Sequence, residues 1–242
     1  MFKHSVPLFN LFGFQVRLDS SWFLLAVLIT WTLGMGFFPF HYPGLSYGYY
    51  LGMGFAVSVG LLLSIVVHEF AHAWVARRFG LPMGGITLFL FGGVAEMAHE
   101  STSPKVEFWM AIAGPVTSVL VALSFVGGTW IGTRAGLPTP LLGITAYLAS
   151  LNGLLAVFNM APAFPLDGGR VLRSALWAWK RDLEWATRIT ARLGSWFGVL
   201  LIVLGVLRIL AGFFVGGIWS ILIGLFLKNA ASSSYSQLIL QR

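Results

Sequence analysis

The sequence of 242 residues is 57% hydrophobic and only 10% charged, and its mean hydropathy is +0.84. This composition excludes an ordinary soluble domain. The net charge of +7 does not indicate a nucleic-acid partner, because the basic residues flank apolar runs and therefore report membrane topology. Since the chain has no cysteine, disulfides and thiolate metal sites are both excluded.

Several apolar runs are each long enough to cross a hydrocarbon core of about 30 Å as a helix. The predicted membrane spans are 20–38, 51–76, 105–130, 138–160, 194–211 and 213–229. No small-residue cleavage site follows the first run, so we interpret it as a retained span and not as a signal peptide. Lys and Arg are concentrated on one side of these spans, which predicts a multi-pass protein of the cell membrane with both termini in the cytoplasm.

Three segments do not fit simple spans. Residues 83–97 are apolar but short, β-rich and broken by paired glycines, which predicts a re-entrant strand or hairpin. Residues 161–170, APAFPLDGGR, predict a loop at the membrane edge. From 171 to 193, apolar residues alternate with basic ones, as in one or two interfacial helices. The predicted fold class is an all-α polytopic membrane protein of six transmembrane helices with a short β hairpin.

The second span contains polar side chains in the sequence HEFAH. His68 and His72 are four residues apart, so a helix places both imidazoles within reach of one metal ion. Glu69 would lie beside that metal, where it can take a proton from water and later give it to a leaving amine. Ionisable groups within a span are costly and usually face a protein interior, which favours a metal site over two surface histidines beside an exposed acid.

Zinc hydrolases usually use three protein ligands and leave one position for water. Asp167 is the best candidate for the third ligand, because prolines and glycines fix its backbone where an unpaired carboxylate would be costly. Its alternative role is the N-cap of a helix beginning near Arg170. Glu96 and His99 are further candidate ligands, whereas Glu107 is expected only to flank the third span.

HEFAH in an apolar span and NMAPAFPLDGGR (159–170) at the end of a later span resemble the site-2 protease family of intramembrane zinc metalloproteases. GFQVRLDSSWFLL, FGGVAEM and MAIAGPVTS are similar to further family elements. The short amino terminus and the absence of a PDZ insertion resemble the compact bacterial and archaeal branch. The resemblance implies that His68, His72 and Asp167 bind one zinc ion and that Glu69 is the catalytic base.

The resemblance also implies residues that contact the substrate. Gly92, Gly93 and Val94 of FGGV would offer a strand edge to a locally unwound substrate helix, and a purely structural hairpin is the alternative. Asn159 would hydrogen-bond a developing oxyanion, or else would cap or pack the fourth span. Ser118 stands where the family often has an asparagine, and it is a further candidate for substrate binding.

These features predict an intramembrane zinc metalloendopeptidase whose partners are transmembrane protein substrates within the lipid bilayer. A metal-ion transporter or carrier is the alternative, because histidines and carboxylates in membrane helices also mark ion pathways. Glu69 separates the two, since a carrier has no evident need for a non-ligating acid beside its first histidine. We expect residues 1–242 to form a single protease core, with 230–242 as a linker to a nucleotide-sensing CBS region that this chain lacks.

Overall fold

The computed structural model describes residues 5–89, 92–97 and 103–240. Within this part of the chain, six helical segments are long and apolar enough to cross a membrane, which confirms the prediction of a multi-pass membrane protein. In chain order the elements are β1 (Ser5–Leu11), β2 (Phe14–Asp19), α1 (Ser21–Thr32), α2 (Phe38–His41), α3 (Tyr47–Arg78), β3 (Met83–Phe89), β4 (Gly92–Met97), α4 (Pro104–Arg134), α5 (Thr139–Asn159), α6 (Asp167–Lys180), α7 (Leu183–Leu210) and α8 (Phe214–Leu240). A π-helical segment, Leu33–Phe37, joins α1 to α2, so the first spanning helix is Ser21–His41.

The predicted hairpin of residues 83–97 is present as β3 and β4, which pair in antiparallel fashion. It belongs to a four-stranded sheet of order β1-β2-β3-β4, in which β2 runs parallel to β3. Strands β1 and β2 were not predicted, although Phe14, Val16 and Leu18 alternate with more exposed residues along β2. The sheet is therefore built from two segments separated in sequence by the first two membrane spans.

The segment after the fourth span differs from its prediction at two points. Helix α6 begins at Asp167, so the expected loop of 161–170 ends earlier than predicted. Helix α7 begins at Leu183 and continues to Leu210, so the predicted fifth span and the expected interfacial segment before it form one continuous helix. The Asp182 side chain accepts a hydrogen bond from the Trp185 backbone N–H at 2.9 Å and caps this helix. With no proline after that cap, nothing interrupts the helix before the membrane.

The chain divides into two compact units. The first unit comprises Met1–Glu100 and Ala113–Val157. In it, one face of the sheet packs against α1 and α3 in a core formed by Val16, Leu18, Trp22, Ile65, Val66, Ile86 and Leu88. This packing joins the sheet to the helix that contains the HEFAH motif.

The second unit comprises Ser101–Ile112 and Phe158–Arg242. Helices α7 and α8 pack closely along a line of glycines, where a Cβ added at Gly198 would lie 2.6 Å from the carbonyl oxygen of Gly224. Small residues allow such close approach of helices in a membrane. Helix α8 continues to Leu240, so the described part of the expected linker 230–242 is helical. Its connection to a CBS region stays a prediction.

Candidate metal centre

Two histidines of α3 face each other inside the first unit. His68 and His72 are 3% and 5% exposed, and their Nε2 atoms lie 3.1 Å apart. The ring planes make an angle of 77°. A tetrahedral ion with bonds of about 2.0–2.1 Å places its ligand atoms roughly 3.3 Å apart. The two nitrogens therefore have the separation that two ligands of one zinc ion require.

Ser118 of α4 holds the opposite side of the His68 ring. Its hydroxyl oxygen lies 2.8 Å from His68 Nδ1, and Ser118 is 1% exposed. A hydrogen bond at Nδ1 fixes the ring plane and leaves Nε2 available to a metal. The sequence predicts a role for Ser118 in substrate binding. The structure places its hydroxyl against a candidate metal ligand, and a contact with substrate stays a prediction.

Gly114 of α4 leaves an open space beside both histidines. A Cβ at this position would lie 2.6 Å from His68 Nε2 and would collide with His72 Nε2. Any side chain here would fill the space beside both Nε2 atoms. Gly114 belongs to the MAIAGPVTS motif, and its role beside the histidines was not predicted from the sequence. The donors and this space fit a zinc ion, which accepts imidazole nitrogen and carboxylate oxygen.

Glu69 follows His68 and is half-buried next to strand β4. A Cβ at Gly93 would collide with Glu69 Cγ and lie 3.0 Å from Cδ. Only glycine therefore allows the strand to pass this close to the carboxylate. Gly92 has a φ of +134°, a conformation that favours glycine. Gly93 is therefore required by the close approach of Glu69, and Gly92 by its backbone conformation.

Strand β4 is the last strand of the sheet. Val94 pairs with Thr87 of β3 on one side, and among the described residues no strand pairs with the other side. An edge strand presents unpaired backbone N–H and C=O groups, to which an extended peptide can add. The strand edge that the sequence analysis expected is therefore present beside Glu69.

Asp167 is the first residue of α6 in the second unit, and it is 9% exposed. The N-cap position is Leu166, so the alternative prediction of Asp167 as the N-cap was wrong. The first turn of the helix packs directly against the preceding loop, which is possible because Gly168 and Gly169 have no side chains. A Cβ at Gly168 would collide with the Met160 carbonyl oxygen, and one at Gly169 would lie 2.5 Å from a backbone carbon of the same loop.

His68, His72 and Asp167 form one group of buried side chains that could hold a metal ion. Each offers one ligand atom, and these atoms all lie within 4.8 Å of one another. The other two candidate ligands, the Glu96 side chain and His99, lie outside the described residues.

A buried ion pair in the second unit was missed by the sequence analysis. Glu107 of α4 is fully buried and does not merely flank its span, because Arg173 of α6 donates to its Oε1 at 2.6 Å. The Arg173 guanidinium also lies 5.2 Å from the centre of the Phe164 ring. Removing one partner of a buried pair typically costs about 3–5 kcal/mol. The pair therefore fixes α6, six residues beyond Asp167, against the first turns of α4.

Asn152 of α5 makes a second contact that sequence alone did not reveal. It is fully buried and donates to the Ser64 hydroxyl at 2.9 Å, one helical turn before His68. The predicted oxyanion residue, Asn159, is instead the half-buried last residue of α5. Its role stays a prediction. An asparagine within an apolar span was the available signal for Asn152, since buried amides require partners.

Fold and site together describe a membrane-embedded protein with a buried group of zinc-type ligands. The model of Peptidase family M50 matches residues 56–133 and 134–204. This match covers more than half of the chain, which therefore belongs to peptidase family M50. The site-2 protease resemblance found from the motifs is thereby confirmed.

Two similar proteins span almost the whole chain. The Synechocystis protein named "Putative zinc metalloprotease sll0528" is 39% identical over 96% of this chain and 60% of its own length. The Mycobacterium tuberculosis protein named "Putative zinc metalloprotease Rip3" is 38% identical over 99% of this chain and 61% of its own length. The chain thus spans about three fifths of the length of these relatives.

A solved structure shares the fold. It is titled "Site-2 Protease from Methanocaldococcus jannaschii", and it matches with a TM-score of 0.66 and 27% sequence identity. The match covers 95% of this chain and 94% of that one. The six membrane helices and the small mixed sheet are therefore shared with a site-2 protease.

Ser118 provides a test of the candidate metal centre. Replacing Ser118 with Ala should weaken zinc binding by about 10- to 100-fold, because the hydrogen bond that orients His68 is lost. Zinc affinity is measured by competition with a chelator of known affinity. The matched control is Thr117→Ala, since the Thr117 hydroxyl donates to Ala113 of its own helix at 2.8 Å. Equal affinity in both variants would contradict the orienting role.

Proposed function

We propose that this chain is an intramembrane zinc endopeptidase that cleaves other membrane proteins within or near their transmembrane segments. The observation that carries the proposal is the facing pair His68 and His72, buried in an apolar helix with Glu69 beside them. Family membership and the names of the similar proteins support the same chemistry. The carrier alternative finds no support in these comparisons.

The proposed metal site holds one zinc ion between His68, His72 and Asp167. The grouping of their ligand atoms within 4.8 Å supports this assignment. When bound, zinc supplies a Lewis acid that makes water nucleophilic near neutral pH and polarises a carbonyl. Ser118 holds the His68 ring in its binding orientation, and Gly114 keeps the space beside both rings free.

Glu69 is the proposed general base. Its carboxylate takes a proton from the attacking water and then delivers that proton to the leaving amine of the cleaved peptide. Strand β4 restricts this carboxylate to one side, because Gly93 lies against it. Asn159 is the proposed donor of a hydrogen bond to the oxyanion that develops on the substrate carbonyl.

The substrate is proposed to bind as an extended strand. A transmembrane helix hides its peptide bonds in its own hydrogen bonds, so it must unwind before cleavage, and the freed backbone groups then need partners. The outer edge of β4, with Gly92, Gly93 and Val94, offers such partners beside Glu69. Recognition through backbone groups also suits substrates of different sequence.

We infer that the site opens to the cytoplasm. An even number of spans places both termini on one side, and the excess of Lys and Arg assigns that side to the cytoplasm. Arg77 and Arg78 end α3 on this side. Measured from Arg77, helical rise places His72 roughly 8 Å and His68 roughly 14 Å inside that boundary, which is within reach of a water-filled entrance.

The proposed activity is tested with purified protein and a panel of single-span substrates. Glu69→Gln should abolish cleavage, with a loss of at least about 100-fold, while about one zinc per chain is retained, because glutamine cannot accept the proton. Asn159→Ala, assayed in parallel, should cleave more slowly with unchanged zinc. Zinc bound by the wild type without cleavage of any substrate would favour the carrier, and full activity of the Asn159 variant would end its proposed role.

The strand edge is tested separately. Val94→Pro removes a backbone N–H from β4 and should lower cleavage about tenfold or more, with zinc content unchanged. The matched control is Leu8→Pro, at the irregular position of the opposite edge strand β1. Both variants are checked for thermal stability. Cleavage at the wild-type rate by a folded Val94→Pro variant would contradict substrate binding at this edge.

A further inference from the structure

A cavity of about 660 Å³ lies in the second unit and is lined by residues of α7 and α8. Its lining from α7 includes Arg188, Arg192, Ser195, Trp196 and Val199. Arg188, Arg192, Ser195 and Val199 recur every three or four residues, and Trp196 lies four residues after Arg192, so these residues form one face of the helix. Along this face, basic side chains are followed by a hydroxyl, an indole and an aliphatic group.

The cavity lies at the level of lipid headgroups. Helices α7 and α8 are joined by the turn 211–213. At a rise of about 1.5 Å per residue, Arg192 of α7 and Ser232 of α8 are each about 27 Å from this turn. A hydrocarbon core is about 30 Å thick. The turn and the cavity are therefore at opposite surfaces of the membrane.

The charge of the cavity is positive. The Arg188 guanidinium donates to Glu184 at 2.9 Å, which balances one cation. Arg192 is exposed, and within the described part of the chain its guanidinium makes no ion pair. Ser195 adds a hydroxyl group to the lining, and Ser232, whose hydroxyl donates to the Lys228 carbonyl at 3.0 Å, adds an acceptor oxygen. This combination suits a phosphodiester, which needs one positive charge and several hydrogen-bond donors.

Trp196 connects the polar and apolar parts of the surface. It is 72% exposed and lies one helical turn beyond Arg192. Tryptophan is enriched at the boundary between headgroups and acyl chains. Beyond it, the exposed Leu200 and Val203 continue along α7 into the hydrocarbon region. Along α7 the surface is first cationic, then carries a hydroxyl and an indole, and is finally aliphatic. This order matches the phosphate, the glycerol part and the acyl chains of a phospholipid.

We propose that this cavity binds the headgroup of an anionic phospholipid. Arg192 and Arg188 contact the phosphate, Ser195 and Ser232 contact the glycerol part of the headgroup, and Trp196 packs against the upper acyl chains. Basic pockets between transmembrane helices commonly bind such headgroups at the cytoplasmic surface. The bound lipid would bridge α7 and α8 where their glycine contacts end. This site is independent of the proposed peptidase activity.

The test is competition between phosphatidylglycerol and phosphatidylcholine for the purified full chain, measured by native mass spectrometry. The wild type should retain phosphatidylglycerol preferentially. Arg192→Gln should reduce that preference about fivefold, the equivalent of roughly 1 kcal/mol for one basic residue at the membrane surface. The matched control, Arg208→Gln, removes a cation from the same helix near the 211–213 turn and should keep the wild-type preference.

A second measurement locates the lipid. Phosphatidylglycerol with brominated acyl chains should quench more fluorescence in the wild type than in Trp196→Phe, because the quenched indole lies at the cavity. No lipid preference in the wild type, or equal preference in the Arg192 and Arg208 variants, would overturn the proposal. Displacement of the lipid by millimolar inorganic phosphate would also overturn it, since the site would then bind a soluble anion.

Discussion

The site depends on one physical constraint: polar groups placed in a membrane helix must be satisfied by protein. His68 and His72 are buried in an apolar span, where each unsatisfied polar atom would cost several kcal/mol. Ser118 Oγ lies 2.8 Å from His68 Nδ1, and Gly114 keeps free the space beside the Nε2 atoms of both rings. This space can accommodate a cation held by both imidazoles. The metal-binding and packing requirements therefore act on the same short segment of α4.

The surrounding contacts limit how far these groups can move. Asn152 bonds to Ser64 one turn before His68, and the pair of Glu107 and Arg173 fixes α6 beyond Asp167. Both contacts are buried, so water cannot replace them without local opening of the structure. A metal site must hold its ligands within a fraction of an ångström, and buried polar contacts provide this rigidity inside a bilayer.

Local patterns predicted most of the fold and the candidate ligands. Long apolar runs gave the six spans, and the spacing of His68 and His72 gave a shared helix face, because both features follow from the geometry of one helix. The start of α7 at Leu183 was missed, because alternating basic and apolar residues look alike in an interfacial helix and in a helix entering the membrane. The partners of Glu107 and Asn152 were missed because each lies far away in sequence, at Arg173 and Ser64. Such pairings depend on tertiary packing, which no local pattern records.

The central claim is that one zinc ion is bound by two imidazoles of α3 and one carboxylate of α6. X-ray absorption spectroscopy at the zinc edge tests it most directly, with the wild type compared to Asp167→Ala. We expect two nitrogen ligands and carboxylate oxygen at about 2.0–2.2 Å in the wild type. In the variant, the affinity for zinc should fall and the carboxylate signal should disappear. An unchanged spectrum and unchanged affinity after removal of Asp167 would contradict the account.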